Sequence, residues 1–313
     1  TKLQELKRPP PPPLASRGRK WSIQMEKESR SLAFSPDAKL LAAPEVDVAS
    51  WSRGRPSLRL YDSATHELLK SVPCANGSAR AVVFSPNGKT VAVGCAGGNG
   101  SGWTHVLDVA TGKERYKTKN VRWVHGLAVS PDGKLFAAAA GDGVFVFDLA
   151  AGTELAVVKG HGGEPRYAAF SPDGKSLATG GDDGTVRIWS RTDWKQQACL
   201  EGLGKIWSVV SAPDGKTLAA ATPGKGGVTL WDTQNPTPIR TLQCRQSDPE
   251  GGHYLAFSPD GKMLAAGGDG GLVKFWEAAT GRELLSFRAH PGTVLALTFS
   301  PDGSQLATAR LVG

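Results

Sequence analysis

The chain has 313 residues, of which 40% are hydrophobic and 21% charged, and its formal net charge is +8. No stretch approaches about 18 consecutive apolar residues, which excludes a transmembrane helix, and the basic start lacks the apolar segment of a signal peptide. The four cysteines, Cys74, Cys95, Cys199 and Cys244, are far apart in sequence and form no C-x-x-C pair. We therefore expect no metal site and no disulfide framework. A cytoplasmic location is the expectation for such a chain.

Residues 1–19 form a basic, proline-rich segment that precedes any regular pattern. Pro9–Pro13 favour polyproline II, a stiff extended spacer. We expect a linker to an upstream domain. The alternative is that the motif Lys7-x-x-Pro10-x-x-Pro13 is a ligand for an aromatic-lined groove of another protein.

One five-residue phrase then recurs seven times. Its first copy is Ser35-Pro36-Asp37-Ala38-Lys39, and the later copies begin at Ser85, Ser130, Ser171, Ala212, Ser258 and Ser300. The steps between copies are 50, 45, 41, 41, 46 and 42 residues. A period of about 40–45 residues is typical of propeller blades with four strands.

The local pattern around each copy predicts two hairpins. Pro-Asp-Gly is turn chemistry, and apolar runs flank it, as in Ala169-Phe170 and Leu177-Ala178. A Gly/Asp-rich stretch and a third strand follow, as in Thr185–Trp189, and a second turn leads to a fourth, such as Glu154–Val158. No helical periodicity of useful length separates these segments. The chain is therefore predicted to be all-β, with antiparallel four-stranded blades.

These motifs resemble those of the WD-repeat (β-transducin-like) family, including members found in bacterial multidomain proteins. The best copy runs from Gly160-His161 through the Ser171 turn to Trp189. The resemblance implies one seven-bladed β-propeller over residues 20–313. It also implies a buried hydrogen-bonded network within that blade, formed by His161, Thr179, Asp183 and Trp189. Other copies replace the Trp by Tyr61, Leu107 or Phe147, and we expect their blades to rely on apolar packing.

Two further expectations concern the last blade. The resemblance implies that the first strand of the chain, Trp21–Met25, completes blade seven. The last copy ends at Gly313 without a Thr-Val-x-x-Trp-like third strand. We therefore expect a C-terminal truncation that leaves blade seven short of a strand.

In this family the loops that enter the innermost strands form the usual binding face. The residues five positions before each turn start are Arg30, Arg80, His125, Arg166, Trp207, His253 and Leu295. The residues seven before are Glu28, Ser78, Trp123, Glu164, Lys205, Gly251 and Thr293. Both sets flank an inward apolar residue such as Ile206 or Val294. We expect a partner-binding rim that consists of Arg30, Arg80, Trp123, His125, Arg166, Lys205, Trp207 and His253.

Arginine binds carboxylate and phosphate through two parallel bonds, so the rim predicts an acidic or phosphorylated protein or peptide partner. The alternative is a solvated rim whose Arg side chains pair with neighbouring acids. Trp51 lies in the longest insertion, a loop that we expect to fold over a blade edge; the alternative is a second contact point for the partner. We expect a monomer or part of a larger multidomain chain.

The repeat also bears on catalysis. A Ser-His-Asp triad needs one unique constellation, whereas the His161-type and Asp183-type positions belong to the repeat. No phosphate-cradling glycine motif opens a helix. We therefore predict a non-catalytic protein-interaction scaffold without cofactor. The alternatives are a nucleic-acid-binding propeller, motivated by the net charge, and a propeller enzyme or sugar-binding domain.

Overall fold

A computed structural model describes residues 29–45, 57–74, 78–97, 100–118, 121–201, 204–222, 227–243 and 254–310. Within these ranges the regular structure is 27 β-strands and one short 3-10 turn, Asp269–Gly271. The predicted all-β class is confirmed. The proposed strand Trp21–Met25, the proline-rich segment and the insertion with Trp51 lie outside the described residues.

Six four-stranded antiparallel sheets follow one another, and in each the strand order in space is the order in the chain. Blade one is β1 (Ala33–Phe34), β2 (Leu40–Glu45), β3 (Ser57–Asp62) and β4 (Leu68–Pro73). Blade two is β5 (Ser78–Phe84), β6 (Thr90–Ala96), β7 (Ser101–Asp108) and β8 (Glu114–Lys117), with an extra β9 (Val121–Arg122) paired to β7. Blade three is β10 (Val124–Val129), β11 (Leu135–Ala140), β12 (Gly143–Asp148) and β13 (Glu154–Val158).

Blade four is β14 (Pro165–Phe170), β15 (Ser176–Gly181), β16 (Val186–Ser190) and β17 (Gln196–Leu200). Blade five is β18 (Ser208–Ser211), β19 (Thr217–Thr222), β20 (Gly227–Asp232) and β21 (Pro238–Leu242). Blade six is β22 (Tyr254–Phe257), β23 (Met263–Gly267), β24 (Leu272–Glu277) and β25 (Glu283–Arg288). The seventh sheet contains β26 (Val294–Phe299) and β27 (Leu306–Arg310).

The seventh sheet closes the ring. Its inner strand β26 contacts β22 of blade six on one side and β1 of blade one on the other. Gln305 Nε2 also donates a hydrogen bond to the Ser63 carbonyl of blade one, at 3.3 Å. The prediction of a seven-bladed propeller is confirmed, and the last sheet has two strands within the described residues, in agreement with an incomplete blade.

Burial follows strand position within a blade. The second strands are the most deeply buried; β11, for example, is buried at every residue and contains four consecutive alanines. The fourth strands are largely exposed, as in β4. The third-strand position that holds Trp189 is also buried where Tyr61, Leu107 or Phe147 replaces it. Small residues on the second strands let neighbouring blades approach closely, so the core is a stack of sheet interfaces.

The recurring phrase forms the tight turn between first and second strands. In blade four, Ser171 Oγ donates to Asp173 Oδ1 at 2.6 Å, and Asp173 Oδ1 accepts from the Lys175 amide at 3.0 Å. Gly174 has a φ of 69°, in the left-handed region. The neighbouring turn's Pro131 packs beside it. All seven turns therefore lie on one side of the ring, which we name the turn face.

Ala38 occupies the left-handed position of the first turn with a φ of 60°, where the other six copies have glycine. Because a side chain is strained there, we expect Ala38→Gly to raise the free energy of unfolding by roughly 0.5–1 kcal/mol. The matched reverse change is Gly133→Ala, since a Cβ there would be 3.5 Å from the nearest atom, Pro86 Cδ. It should destabilise by about 1 kcal/mol. Urea denaturation of both variants tests this, and destabilisation by Ala38→Gly would contradict it.

Candidate partner-binding rim

The residue five positions before the turn is a β-bulge in four blades. The register between first and second strands shifts at Arg80, His125, Arg166 and Leu295. A bulge leaves one residue out of the ladder and redirects its side chain. Because each inner strand runs toward the turn face, its bulged first residues lie on the opposite face of the ring. We name that face the rim.

In blades three, five and seven the residue six positions before the turn is a buried apolar anchor, and in blades three and seven it directly precedes the bulge. Val124 and Ile206 are fully buried. A Cβ added to Gly94 would lie 2.5 Å from Val124 Cγ1, and one added to Gly180 would lie 2.5 Å from Ile206 Cγ2. Each anchor therefore fills the space left by a glycine on the second strand of the preceding blade. This packing fixes the outward direction of the residues on either side of it.

His125 lies at the centre of a polar group on the rim. Its ring nitrogens are 3.2 and 3.3 Å from Arg166 Nη1, and its Nε2 is 3.2 Å from Glu164 Oε2. A neutral imidazole satisfies both neighbours if Nδ1 accepts from Arg166 and Nε2–H donates to Glu164. Burial, reinforced by the charges of Arg166 and Arg80, lowers the pKa of His125 to about 3. His125 is therefore a neutral spacer between cations.

Arg166 is held by a carboxylate that the sequence analysis did not identify. Its Nε is 3.1 Å from Asp182 Oδ1 and its Nη2 is 2.6 Å from Asp182 Oδ2, a bidentate pair. Burial alone would lower the pKa of Arg166, but Asp182 and Glu164 outweigh it and raise that pKa. At this position the alternative of an Arg paired with neighbouring acids is the one observed. The doublet Asp182-Asp183 was the available signal.

Arg80 and Trp123 form a stacked pair. The Arg80 guanidinium carbon lies 5.1 Å from the centre of the Trp123 ring, whose Nε1 donates to the Gly97 carbonyl at 3.1 Å. Burial, followed by the charges of Arg30 and Arg166, lowers the pKa of Arg80 to about 10. The guanidinium groups of Arg30 and Arg166 therefore lie close enough to repel that of Arg80. We name the part of the rim where these groups lie the mouth of the ring.

Two tyrosines that the sequence analysis missed complete this mouth. The rings of Tyr167, on blade four, and Tyr254, on blade six, are 6.3 Å apart in an edge-to-face arrangement. Burial and the neighbouring Tyr254 raise the pKa of Tyr167 well above its usual value. Tyr254 also interacts with Arg80 of blade two, so side chains from three blades converge here.

Blade five contributes an exposed pair farther round the rim. Lys205 is exposed and Trp207 is 37% exposed, on either side of the buried Ile206. The Trp207 amide donates to the Ala221 carbonyl at 3.0 Å, which fixes the backbone before β18. Trp123 is exposed to a similar extent, 38%. His253, the remaining predicted rim residue, lies outside the described residues.

The structure brings together the four residues of the predicted blade-four network. Trp189 Nε1 donates to Thr179 Oγ1 at 2.8 Å, Thr179 Oγ1 is 2.8 Å from His161 Nε2, and His161 Nδ1 is 3.0 Å from Asp183 Oδ1. Burial lowers the pKa of His161, so the ring is neutral and donates from Nδ1. In the seventh sheet, His290 Nε2 lies 2.8 Å from Thr308 Oγ1 in the same relation. The network lies inside a blade and holds its strands together.

In the described ranges, no helix has the length and apolar character required to span a bilayer. Nor do those ranges contain a group of three or more His, Cys, Asp or Glu side chains placed to hold a metal ion.

Comparison with known proteins agrees with this architecture. The family described as "WD domain, G-beta repeat" matches residues 152–190, 238–277 and 281–311. Transcription initiation factor TFIID subunit 5 of Caenorhabditis elegans is 27% identical over 54% of the chain, and target of rapamycin complex subunit wat1 of Schizosaccharomyces pombe is 28% identical over 59%. The chain covers 25% and 60% of these relatives, less than two thirds of either.

A cyanobacterial relative matches over a larger share of both chains. It is an uncharacterized WD repeat-containing protein of Synechocystis, 30% identical over 240 residues, which are 76% of this chain and 67% of the relative. Together with seven sheets in a closed ring and seven copies of the turn phrase, this match shows that the chain belongs to the WD-repeat family of β-propellers.

Proposed function

We propose that this propeller is a non-catalytic scaffold that binds an acidic segment of a partner protein on its rim. Two of its relatives are named as subunits of protein assemblies, TFIID and the target of rapamycin complex. The proposal gives this chain a comparable role as a component that holds other proteins.

The observation that carries the proposal is the pair of exposed tryptophans on one rim. Trp123 and Trp207 are 38% and 37% exposed, on anchored segments of blades three and five. Tryptophan and arginine are the side chains most often responsible for the binding energy of an interface. Arg80 stacks on Trp123, and Lys205 lies two residues before Trp207. Each tryptophan thus offers an apolar surface with a cation beside it.

Electrostatics favour an acidic ligand over a neutral one. The mutual repulsion of Arg30, Arg80 and Arg166, which contributes to the lowered pKa of Arg80, would be relieved by a carboxylate or phosphate at the mouth. Glu164 and Asp182 lie among these cations. Fixed acids disfavour a continuous polyanion such as nucleic acid, and they favour a short segment whose charges are spaced. A phosphorylated side chain and a run of Asp or Glu are both compatible with this arrangement.

An array of synthetic peptides tests the proposal with matched variants. We expect acidic or phosphorylated peptides to bind the unmodified chain and their neutral counterparts to bind at least tenfold more weakly. The rim variant Lys205→Glu/Trp207→Ala should lose binding by about 10–100-fold, because it removes an aromatic anchor and reverses a charge. Trp123→Ala should act in the same direction.

The control variant is Lys89→Glu/Leu155→Ala. Lys89 is an exposed turn-face residue, and Leu155 is 55% exposed on an outer strand. This variant carries the same change of charge and should leave binding unchanged. Equal losses in both variants, or no selection for acidic peptides, would refute the rim as the binding surface. Binding of heparin or DNA that falls steeply with salt would favour the nucleic-acid alternative.

A further inference from the structure

One position of the outer strand links a blade to the next blade. It is the fourth-strand residue that lies opposite the third strand just before the register shift, and it is Lys70 in blade one and Tyr116 in blade two. Lys70 Nζ donates to the Val109 carbonyl at 3.2 Å, and the Tyr116 hydroxyl donates to the Leu149 carbonyl at 2.5 Å. Both carbonyls belong to the residue that follows the third strand of the next blade. We name this outer-strand position the linking position.

Two further interfaces are filled in related ways. Arg240, at the linking position of blade five, lies against the turn of blade six, where a Cβ added to Gly281 would be 2.9 Å from Arg240 Cδ. Blade three has only Ala156 at this position, but Trp194 from a turn of blade four packs against the same apolar cluster. A long or aromatic side chain therefore occupies the space between the outer parts of the blades at all four of these interfaces.

The interface between blades four and five is different. Its linking residue is Ala198, opposite Ile188, and the facing turn of blade five, residues 233–236, has the sequence Thr-Gln-Asn-Pro, without a large apolar side chain. A groove of about 360 Å³ remains here, open on the turn face. The buried side chains of Ala178, Ile188 and Leu218 line it. Its volume is at the lower end of the range for small-ligand sites.

The groove also has hydrogen-bond acceptors at its edge. Thr233, which lines it, is the residue that follows the third strand of blade five, as Val109 and Leu149 are in blades two and three. No described residue donates to the Thr233 carbonyl. In blades one to four and six, the carbonyl that ends the third strand accepts from the amide four residues later. At Asp232 that bond is missing, because the residue four later is Pro236, which has no N–H.

We propose that the groove between blades four and five binds a tyrosine side chain of a partner protein. The tyrosine would take the place that Tyr116 occupies between blades two and three. Its ring would lie against the apolar side chains of the groove, and its hydroxyl would donate to the Thr233 carbonyl, as the Tyr116 hydroxyl does to that of Leu149. Tyrosine suits such a site because it combines a large apolar ring with a hydrogen-bond donor.

The charges around the groove favour a neutral donor over a cationic one. Lys175 and Lys216 lie at its edge together with Asp173 and Asp214, so their formal charges cancel. Lys175 Nζ is 3.8 Å from Asp173 Oδ2. An incoming ammonium group would lose water and gain no net attraction in return, whereas a phenol brings no charge to desolvate. This argument distinguishes tyrosine from lysine, the other side chain that reaches the same kind of carbonyl in this ring.

The probe for the test is N-acetyltyrosinamide, added to the full chain and followed by nuclear magnetic resonance. We expect saturable shifts of the methyl signals of Ala178, Ile188 and Leu218. N-acetylphenylalaninamide should bind roughly 3–10-fold more weakly, because it cannot donate to the Thr233 carbonyl. N-acetyllysinamide should bind at least about tenfold more weakly than the tyrosine derivative.

Ala198→Tyr supplies the missing side chain from within the chain. It should abolish binding of the probe without lowering the melting temperature, and Ala198→Leu, which narrows the groove with a smaller side chain, serves the same purpose if the tyrosine variant misfolds. The control is Leu155→Tyr, which adds the same side chain at a position 55% exposed on the outer strand of blade three and should leave binding unchanged.

Three results would overturn the proposal. They are the absence of saturable shifts at the three methyl groups, equal binding of the tyrosine and phenylalanine derivatives, and undiminished binding of the probe to folded Ala198→Tyr or Ala198→Leu. The inference is independent of the proposed binding function, since the groove opens on the face opposite the rim. Both Ala198 variants should therefore bind acidic peptides as the unmodified chain does.

Discussion

Asp183→Ala should lower the free energy of unfolding by about 3 kcal/mol, because it removes the acceptor at the end of a buried chain of hydrogen bonds. Asp183 accepts from His161 Nδ1 at 3.0 Å, from the Gly162 amide at 2.9 Å and from the Thr185 amide at 3.1 Å. Its side chain is 12% exposed and that of His161 is 4% exposed, so water cannot fully replace these bonds. Urea denaturation followed by fluorescence and by circular dichroism measures the change.

Asp142 provides the matched control. It lies in the loop between the second and third strands of blade three, as Asp183 does in blade four. Its side chain is 72% exposed and pairs with Lys159 at 2.8 Å. We expect Asp142→Ala to cost less than about 0.5 kcal/mol. Equal effects of the two substitutions would mean that the network of blade four adds no stability beyond that of a surface pair.

His125→Gln should flatten the dependence of stability on pH between about 4.5 and 6.5. The pKa of His125 is about 3 in the folded chain, against about 6.5 when unfolded. Below pH 6.5 the unfolded chain binds a proton that the folded chain does not, so stability falls as the pH falls. The slope from this group is up to about 1.4 kcal/mol per pH unit, and it levels off below pH 3. His161, whose pKa is also lowered, contributes in the same direction and remains in the variant.

The difference between the two chains isolates His125. Between pH 7 and 4.5 the free energy of unfolding of the unmodified chain should fall by about 2–3 kcal/mol more than that of His125→Gln. Nuclear magnetic resonance gives a second measurement, since the ring signals of His125 should not titrate between pH 8 and 4.5. A titration near pH 6.5 would show that His125 is charged on the rim at mildly acidic pH. It would contradict the interpretation of His125 as a neutral spacer between Arg80 and Arg166.

The fold could be predicted because each blade repeats the same local chemistry. Ser171, Asp173 and Gly174 make a turn whose bonds involve only neighbours in sequence, so the phrase identifies the turn wherever it occurs. The rim positions could be counted from that turn, since a fixed number of residues separates it from the bulge. The spacing therefore located Arg80, His125 and Arg166 on one face.

The remaining features depend on contacts that do not recur from blade to blade. Asp182 pairs with Arg166 within blade four, and Tyr254 of blade six contacts Tyr167 of blade four. Cys74 and Cys95 share an interface that neither repeat encodes alone. The extra strand Val121–Arg122 pairs with β7 through backbone atoms at Ser101 and Gly102, where no side-chain pattern marks it. Periodicity predicts what recurs, and these contacts occur once.

The most direct test of the account is where an acidic peptide contacts the ring. A peptide selected on the array, carrying a photoactivatable group, can be cross-linked to the full chain and the adducts located by mass spectrometry. The account predicts adducts on the segments around Trp123 and Trp207, suppressed by excess unlabelled peptide. Suppressible adducts confined to the turn face, at residues such as Lys89 and Lys134, would contradict it.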